Sequence, residues 1–148
     1  VHLEPSHHLT DDGLDPELLA QVTRRWENDP RLGAVVSFGG VVRGDRIEGG
    51  VVQSIEFSAH REMAEKSLRA LVERLASAVS SDTVRVYLQH TLGTLPRGGI
   101  PLFIVVGTSH RREAFELCSG ILEALKQEVP IYGKEIAESG GHAWKVNR

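Results

Sequence analysis

Apolar positions in this chain recur with two different periods. Between Glu62 and Val79, Ala64, Leu68, Leu71, Val72, Leu75 and Val79 fall on one helical face. A second helix runs from about His110 to Glu128, with Ala114, Cys118, Ile121, Leu122, Leu125 and Val129 on its buried side. Between Thr83 and Thr91 the period drops to two: Val84, Val86 and Leu88 alternate with Arg85, Tyr87 and Gln89, as on a half-buried strand. Pro101 to Gly107 is nearly continuous apolar strand, and Val51 to Ser58 is strand-like. Upstream, Asp15-Pro16-Glu17 starts a helix, with Asp15 as N-cap and Pro16 in the first turn, ending near Trp26. A strand follows from Gly33 to Val42, where Gly39-Gly40 marks a bulge or a close approach by a neighbour. Arg43-Gly44-Asp45 and Leu95 to Gly99 read as turns.

From residue 51 the order is strand, helix, strand, strand, helix, then a short strand or extended tail ending near Trp144. This order predicts an α+β fold: a split β-α-β unit with helices on one side of a mainly antiparallel sheet. The first helix and the Gly33–Val42 strand are additions to it. Residues 1–14 read as a flexible polar arm carrying His2, His7 and His8, and residues 15–148 as one domain. Three histidines without cysteine or a carboxylate framework make a poor metal site, and no metal is expected.

Chemistry concentrates on the last long helix. It opens with Ser109-His110-Arg111-Arg112-Glu113, where Ser109 can cap and free N–H groups favour an anion. Two cations in a first turn oppose the helix dipole unless an anion offsets them. Near the far end, Lys126 borders the apolar face beside Leu122 and Leu125. It suits either a snorkelling surface lysine or a reactive amine whose pKa is lowered by burial or by neighbouring cations. Lys134 lies on the Pro/Gly-punctuated loop after that helix, and Arg43 closes the Gly33–Val42 strand. Each also fits an ordinary surface role. Cys118, central on an apolar helix face, reads as an inert small hydrophobe.

The bulk properties narrow the field. With 148 residues, 41% of them hydrophobic and 25% charged, the chain is an ordinary globular domain. A formal net charge of -3 and 5% aromatics argue against nucleic-acid binding. No apolar run approaches the roughly 20 residues of a membrane span, so no membrane partner is expected. A single cysteine and no basic-then-apolar start point to a cytoplasmic protein. No zinc spacing, Walker loop, nucleophile elbow or dinucleotide fingerprint occurs, and no cofactor is expected. The residues alone support a domain with a basic pocket for a small anion, either an enzyme or a non-catalytic regulatory module.

Five blocks in order resemble the large, catalytic subunit of molybdopterin synthase. They are Gly33 to Gly44, Phe57 to Lys66, His90 to Leu95, Ser109 to Phe115, and Leu125 to Glu135; the likeness covers about residues 15–146. The resemblance implies an α/β hammerhead-type fold and a sulfurtransferase. That enzyme converts cyclic pyranopterin monophosphate to molybdopterin with sulfur from the C-terminal Gly-Gly thiocarboxylate of a small ubiquitin-like carrier. It implies a homodimer with one carrier at each end, a heterotetramer whose pockets are completed across the dimer. By the same resemblance Lys126 is the key catalytic lysine and Lys134 a second one. Arg43, His110, Arg111, Gly133 and Glu135 fall on substrate-binding positions. One departure stands out: many members have two successive basic residues where this chain has Gly133-Lys134, so either Lys134 serves from one residue later or the second lysine role is weakened. The two ends of the long helix lie about 25 Å apart at 1.5 Å per residue, so His110-Arg111 and Lys126 are expected to be half-sites of different pockets.

Overall fold

A computed structural model describes residues 1–11 and 13–145. In chain order the elements are β1 (His2–Glu4), β2 (Leu9–Thr10), α1 (Glu17–Trp26), β3 (Ala34–Gly40), β4 (Arg46–Ile47), β5 (Gly50–Ala59), α2 (Arg61–Ser77), β6 (Val84–Thr91), β7 (Gly93–Pro96), β8 (Leu102–Thr108), α3 (Arg111–Glu128), β9 (Ile131–Ala137) and β10 (His142–Trp144). The fold is α+β, as the periodicities predict, but with two sheets in place of one. The first has β8 between β6 and β3, both antiparallel to it, with β1 and β2 parallel to β6 on the outer edge. The second is antiparallel and centred on β5, which pairs with β9 along one side and with β4 and β7 along the other, while β10 adds to β9.

Two segments read as turn or loop are strands of this second sheet. β7 is only four residues long and contains Gly93 and Pro96, so its local signal is that of a turn. Gly93 adopts φ +95, which swings the chain out of the first sheet and onto β5. β9 carries the Gly133-Lys134 pair, and pairing with β5 from Ala59↔Ile131 to Val52↔Ala137 overrides its weak strand propensity.

α2 and α3 pack on each other and on one face of the first sheet. Leu68, Leu71, Leu88, Ile104 and Ile121 fill that layer, all at most 2% exposed. The helices are not all on one side, however. α1 covers the opposite face, where Val22 and Trp26 meet Tyr87 and Val105. This second cover explains why β8 is buried at every position and reads as an unbroken apolar run. Gly39 sits in register with Phe103, and a Cβ there would come within 3.1 Å of the Phe103 ring, so the glycine marks a close approach and not a bulge. Asp15 Oδ1 accepts from the Glu17 N–H at 2.9 Å, the expected cap.

The N-terminal segment, which its composition reads as a flexible arm, is hydrogen-bonded to the body of the domain. Both Glu65 carboxylate oxygens accept backbone N–H groups, from His8 and, at 2.9 Å, from Leu9. Arg69 Nη2 donates to the Ser6 carbonyl at 2.7 Å, and Glu4 receives Trp26 Nε1 at 2.7 Å. His8 is 1% exposed, its Nδ1 2.8 Å from the Leu88 carbonyl oxygen. All these partners are distant in sequence, which is why local composition does not reveal them.

Two predictions follow from these contacts. Glu65→Ala removes the shared acceptor of two backbone N–H groups, and stability should drop by about 1–3 kcal/mol with faster amide exchange at His8 and Leu9; unchanged protection there would refute the strap. His90, on β6, is pushed down to about 4 from 6.5, chiefly by burial. The unfolded chain therefore takes up this proton first, so stability present above pH 6.5 is progressively lost as pH falls toward about 4. His90→Gln should flatten that loss in denaturation measured across the window; an identical slope would show that His90 does not titrate this way.

Candidate functional site

The site forms where the end of α3 meets β9. α3 stops at Glu128 because Val129 turns to an extended conformation and Pro130 cannot continue the helix. The Val129 N–H still reaches the Leu125 carbonyl at 3.0 Å, closing the last turn. Lys126 lies in that turn, where a cation complements the negative end of the helix dipole. Leu125 is buried beside it and Leu122 is partly buried one turn back, so the stem of Lys126 follows the core edge.

Two cavities adjoin this turn. The larger, about 450 Å³, is walled by Phe57, His90, Val129, Tyr132, Gly133 and Trp144. The other, about 330 Å³, lies toward the end of β3 and is walled by Phe38, Gly39, Arg43, Asp45, Ile55 and Glu135. Lys126 and Lys145 border both. The first wall carries the rings of Phe57, Tyr132 and Trp144 beside polar Gln127 and Glu128, and the second carries the charges of Arg43, Asp45 and Glu135 beside Phe38 and Ile55, giving an aromatic-bearing and an ionic cavity. Both volumes suit a small ligand or a chain terminus.

In the ionic cavity, Arg43 holds Asp45 through two bonds, Nε to Oδ1 at 2.8 Å and Nη2 to Oδ2 at 3.0 Å. The side chain of Arg43 remains 73% exposed, and its Asp45 partner raises its pKa above the ordinary arginine value. The loop carrying this pair is fixed by Val42 N–H to the Gly99 carbonyl at 2.9 Å and by Val52 N–H to the Asp45 carbonyl at 2.8 Å. Glu135 is buried at 4% exposure. In the aromatic cavity, the His90 ring stands edge-on to Phe57, centroids 5.3 Å apart. Its Nδ1 lies 2.7 Å from the Thr91 carbonyl oxygen. Burial, and to a lesser degree the charges of Lys126 and Lys145, keep His90 neutral near pH 7. A neutral ring with its proton on Nδ1, toward that carbonyl, leaves Nε2 as an acceptor.

The structure thus brings Lys126, Arg43, Gly133 and Glu135 together around two joined cavities. His110 and Arg111 are elsewhere: both are exposed at the opposite end of α3, which is 18 residues long. Ser109 does not cap that helix. Its N–H donates to Ser81 Oγ at 3.0 Å, and the capping position falls to His110, which makes no side-chain capping bond. Lys134 borders neither cavity. Side chains alternate along β9, with Glu135 and Ala137 buried, so Lys134 projects from the face opposite Gly133 and Glu135. Asp45, His90 and Lys145 were not singled out from the sequence. His90 lies within a recognisable block, but Lys145 can be found only from the pairing of β9 with β10. Cys118 is buried in the core and burial pushes its thiol up to about 11, which leaves it unreactive. Among the described residues no group of histidine, cysteine and carboxylate side chains is arranged to hold a metal ion, and no helix is long and apolar enough to cross a membrane.

Comparison with known proteins agrees with the architecture. The MoaE protein family model matches residues 9–128. A molybdopterin synthase catalytic subunit from Oryza sativa subsp. indica is 34% identical over 120 residues, covering 81% of this chain and 60% of its own length. The chain therefore spans less than two thirds of that relative. A molybdopterin synthase catalytic subunit from Thermoplasma volcanium is 31% identical over 136 residues, covering 92% of this chain and 94% of its own. The crystal structure of molybdopterin synthase from Staphylococcus aureus superposes with a TM-score of 0.79 at 26% identity, covering 97% of this chain and 99% of that one. A complex of subunits 1 and 2 of molybdopterin-converting factor from Helicobacter pylori shares the fold, with a TM-score of 0.75 at 18% identity over 99% of this chain and 91% of that one. With this family model covering most of its length and relatives above 30% identity, the chain belongs to the MoaE family, that of molybdopterin synthase catalytic subunits.

Proposed function

We propose that this chain is the catalytic subunit of a molybdopterin synthase, a sulfurtransferase of molybdenum cofactor biosynthesis. It takes sulfur from the thiocarboxylated C-terminus of a small ubiquitin-like carrier and places it on cyclic pyranopterin monophosphate. The observation that carries this reading is the position of Lys126, on the border between a cavity walled by Phe57, His90 and Trp144 and one walled by Arg43, Asp45 and Glu135. A two-substrate reaction needs two binding spaces that meet at the reacting group, and this arrangement supplies them.

The chemistry follows from the groups present. Sulfur arrives on the carrier tail, so the subunit needs no thiol of its own, in keeping with a buried, high-pKa Cys118. Attack by the thiocarboxylate sulfur requires proton movement at the pterin and stabilisation of developing negative charge. We assign both to the Lys126 amine, a reading supported by its place on the border of both cavities. Arg43 offers an exposed guanidinium to the substrate phosphate, already oriented by Asp45. His110 and Arg111 stand too far from Lys126 of their own chain, about 25 Å along the helix. In a twofold dimer the helix start of one subunit serves the pocket of the other, each pocket being built from two half-sites. A reducing, cytoplasmic setting suits a chain with one buried cysteine.

Two measurements test this reading. Lys126→Ala should lower kcat for molybdopterin formation by about a hundredfold or more, with binding of the carrier retained; near-normal turnover would remove Lys126 from the mechanism. Mixing Lys126→Ala with Arg111→Ala subunits should restore about a quarter of wild-type activity, since half of randomly assorted dimers then hold one intact pocket. Activity no higher than that of the parent variants would show that the pocket is not shared between subunits.

A further inference from the structure

Lys126 and Lys145 are the residues common to both cavities. Lys145 follows directly on β10, whose register against β9 sets His142 opposite Ile136, Ala143 opposite Glu135 and Trp144 opposite Lys134. One more step puts Lys145 opposite Gly133, and the Lys145 N–H donates to the Gly133 carbonyl at 2.7 Å. Cross-strand partners share a face. Lys145 therefore shares a face with Gly133 and Glu135 and borders both cavities, while Lys134 shares the other face with Tyr132 and Trp144 and borders neither.

Gly133 is what lets it stand there. Its φ is not positive, so the backbone does not demand glycine at this position. The demand is for space. A Cβ on Gly133 would lie 3.3 Å from Ile55 Cγ2, 3.4 Å from Phe57 Cε1 and 3.4 Å from Lys145 Cβ. With that position bare, the Lys145 Cβ packs beside Gly133, and Lys145 borders both cavities together with Lys126 at the end of α3. The surroundings register its arrival: burial and then the Lys126 charge lower the Lys145 pKa, with Arg43 acting the same way and Glu135 and Asp45 opposing. Two like charges facing one space repel each other, and an anion placed between them relieves that repulsion.

We propose that Lys145 is the second amine of the reaction site, a substrate-contacting cation that fills the space left by Gly133 and holds, with Lys126, the anionic groups of the two reactants where the cavities meet. The proposal rests on the sulfurtransferase reading and assigns to Lys145 the role that the sequence pattern offered to Lys134. It also makes residues 133 and 145 a coupled pair, since a lysine on either strand would deliver an amine to the same space.

The test exploits that coupling. Molybdopterin formation is measured with thiocarboxylated carrier and cyclic pyranopterin monophosphate for Lys145→Ala, Lys145→Arg, Lys134→Ala and the double variant Lys145→Ala/Gly133→Lys. Lys145→Ala should lose at least about tenfold in kcat, as when one charge-stabilising donor is removed. Lys145→Arg should keep most of it, Lys134→Ala should lose less than Lys145→Ala, and Gly133→Lys should recover activity in the Lys145→Ala background. Wild-type kcat in Lys145→Ala overturns the proposal. So does a double variant that binds carrier normally yet recovers nothing, or a Lys134→Ala loss as large as that of Lys145→Ala. Should the double variant fail to fold, Lys145→Arg decides: retained activity supports the charge role, and loss equal to Lys145→Ala overturns it. If Lys126→Ala is inactive while Lys145→Ala is normal, only this inference fails. If the wild-type chain forms no product, the sulfurtransferase reading fails instead.

Discussion

The pairing of β9 with β5 is the constraint on which the site depends. It begins within a few residues of the last turn of α3 and runs in register from Ile131 to Ala137, apart from a shift near Val52. Because side chains alternate along a strand, this register decides which residues after Pro130 face Lys126 and which face away. Gly133 and Glu135 face it; Lys134 does not. The same strand then templates β10, which returns Lys145 to the face of Gly133 and Glu135. A slip of one residue would exchange the two faces and rebuild the pocket with different chemistry.

Much of the fold is legible in hydrophobic periodicity. The buried faces of α2 and α3, the alternation of β6 and the apolar run of β8 follow directly from residue type, because the helices each bury one face and β8, covered on both, buries every position. β7 and β9 do not announce themselves. Each is short or glycine-bearing, and each becomes a strand only because β5 supplies its hydrogen bonds. The N-terminal strap is similar: Glu65, Arg69 and Trp26 hold residues whose own sequence reads as a polar tail. Local composition reports local preference, and these segments are held by partners far away in sequence.

The site was legible to the same extent and for the same reason. Lys126 is marked by its place at the edge of an apolar helix face, and Arg43 by the end of a strand. Their meeting with Gly133 and Glu135 is a tertiary fact. Lys134 is the residue that sequence proximity favours, and within one chain it borders neither cavity. Lys145 is invisible until β9 and β10 are paired, since nothing in the order Trp144-Lys145 points to Gly133. His110 and Arg111 remain a separate cluster within one chain, at the far end of the same helix.

The central claim is that the two cavities meeting at Lys126 receive a pterin and a thiocarboxylate tail and that sulfur passes between them. The most direct test is a single-turnover reaction of the wild-type chain with cyclic pyranopterin monophosphate and at least two equivalents of thiocarboxylated carrier, one per dithiolene sulfur, followed by assay for the dithiolene product and for the carrier's terminal group. Dithiolene should form as the carrier tail reverts from thiocarboxylate to carboxylate, and no product should form with unmodified carrier. Binding of the pterin and carrier without loss of the thiocarboxylate would contradict the claim and leave the domain a non-catalytic binding module.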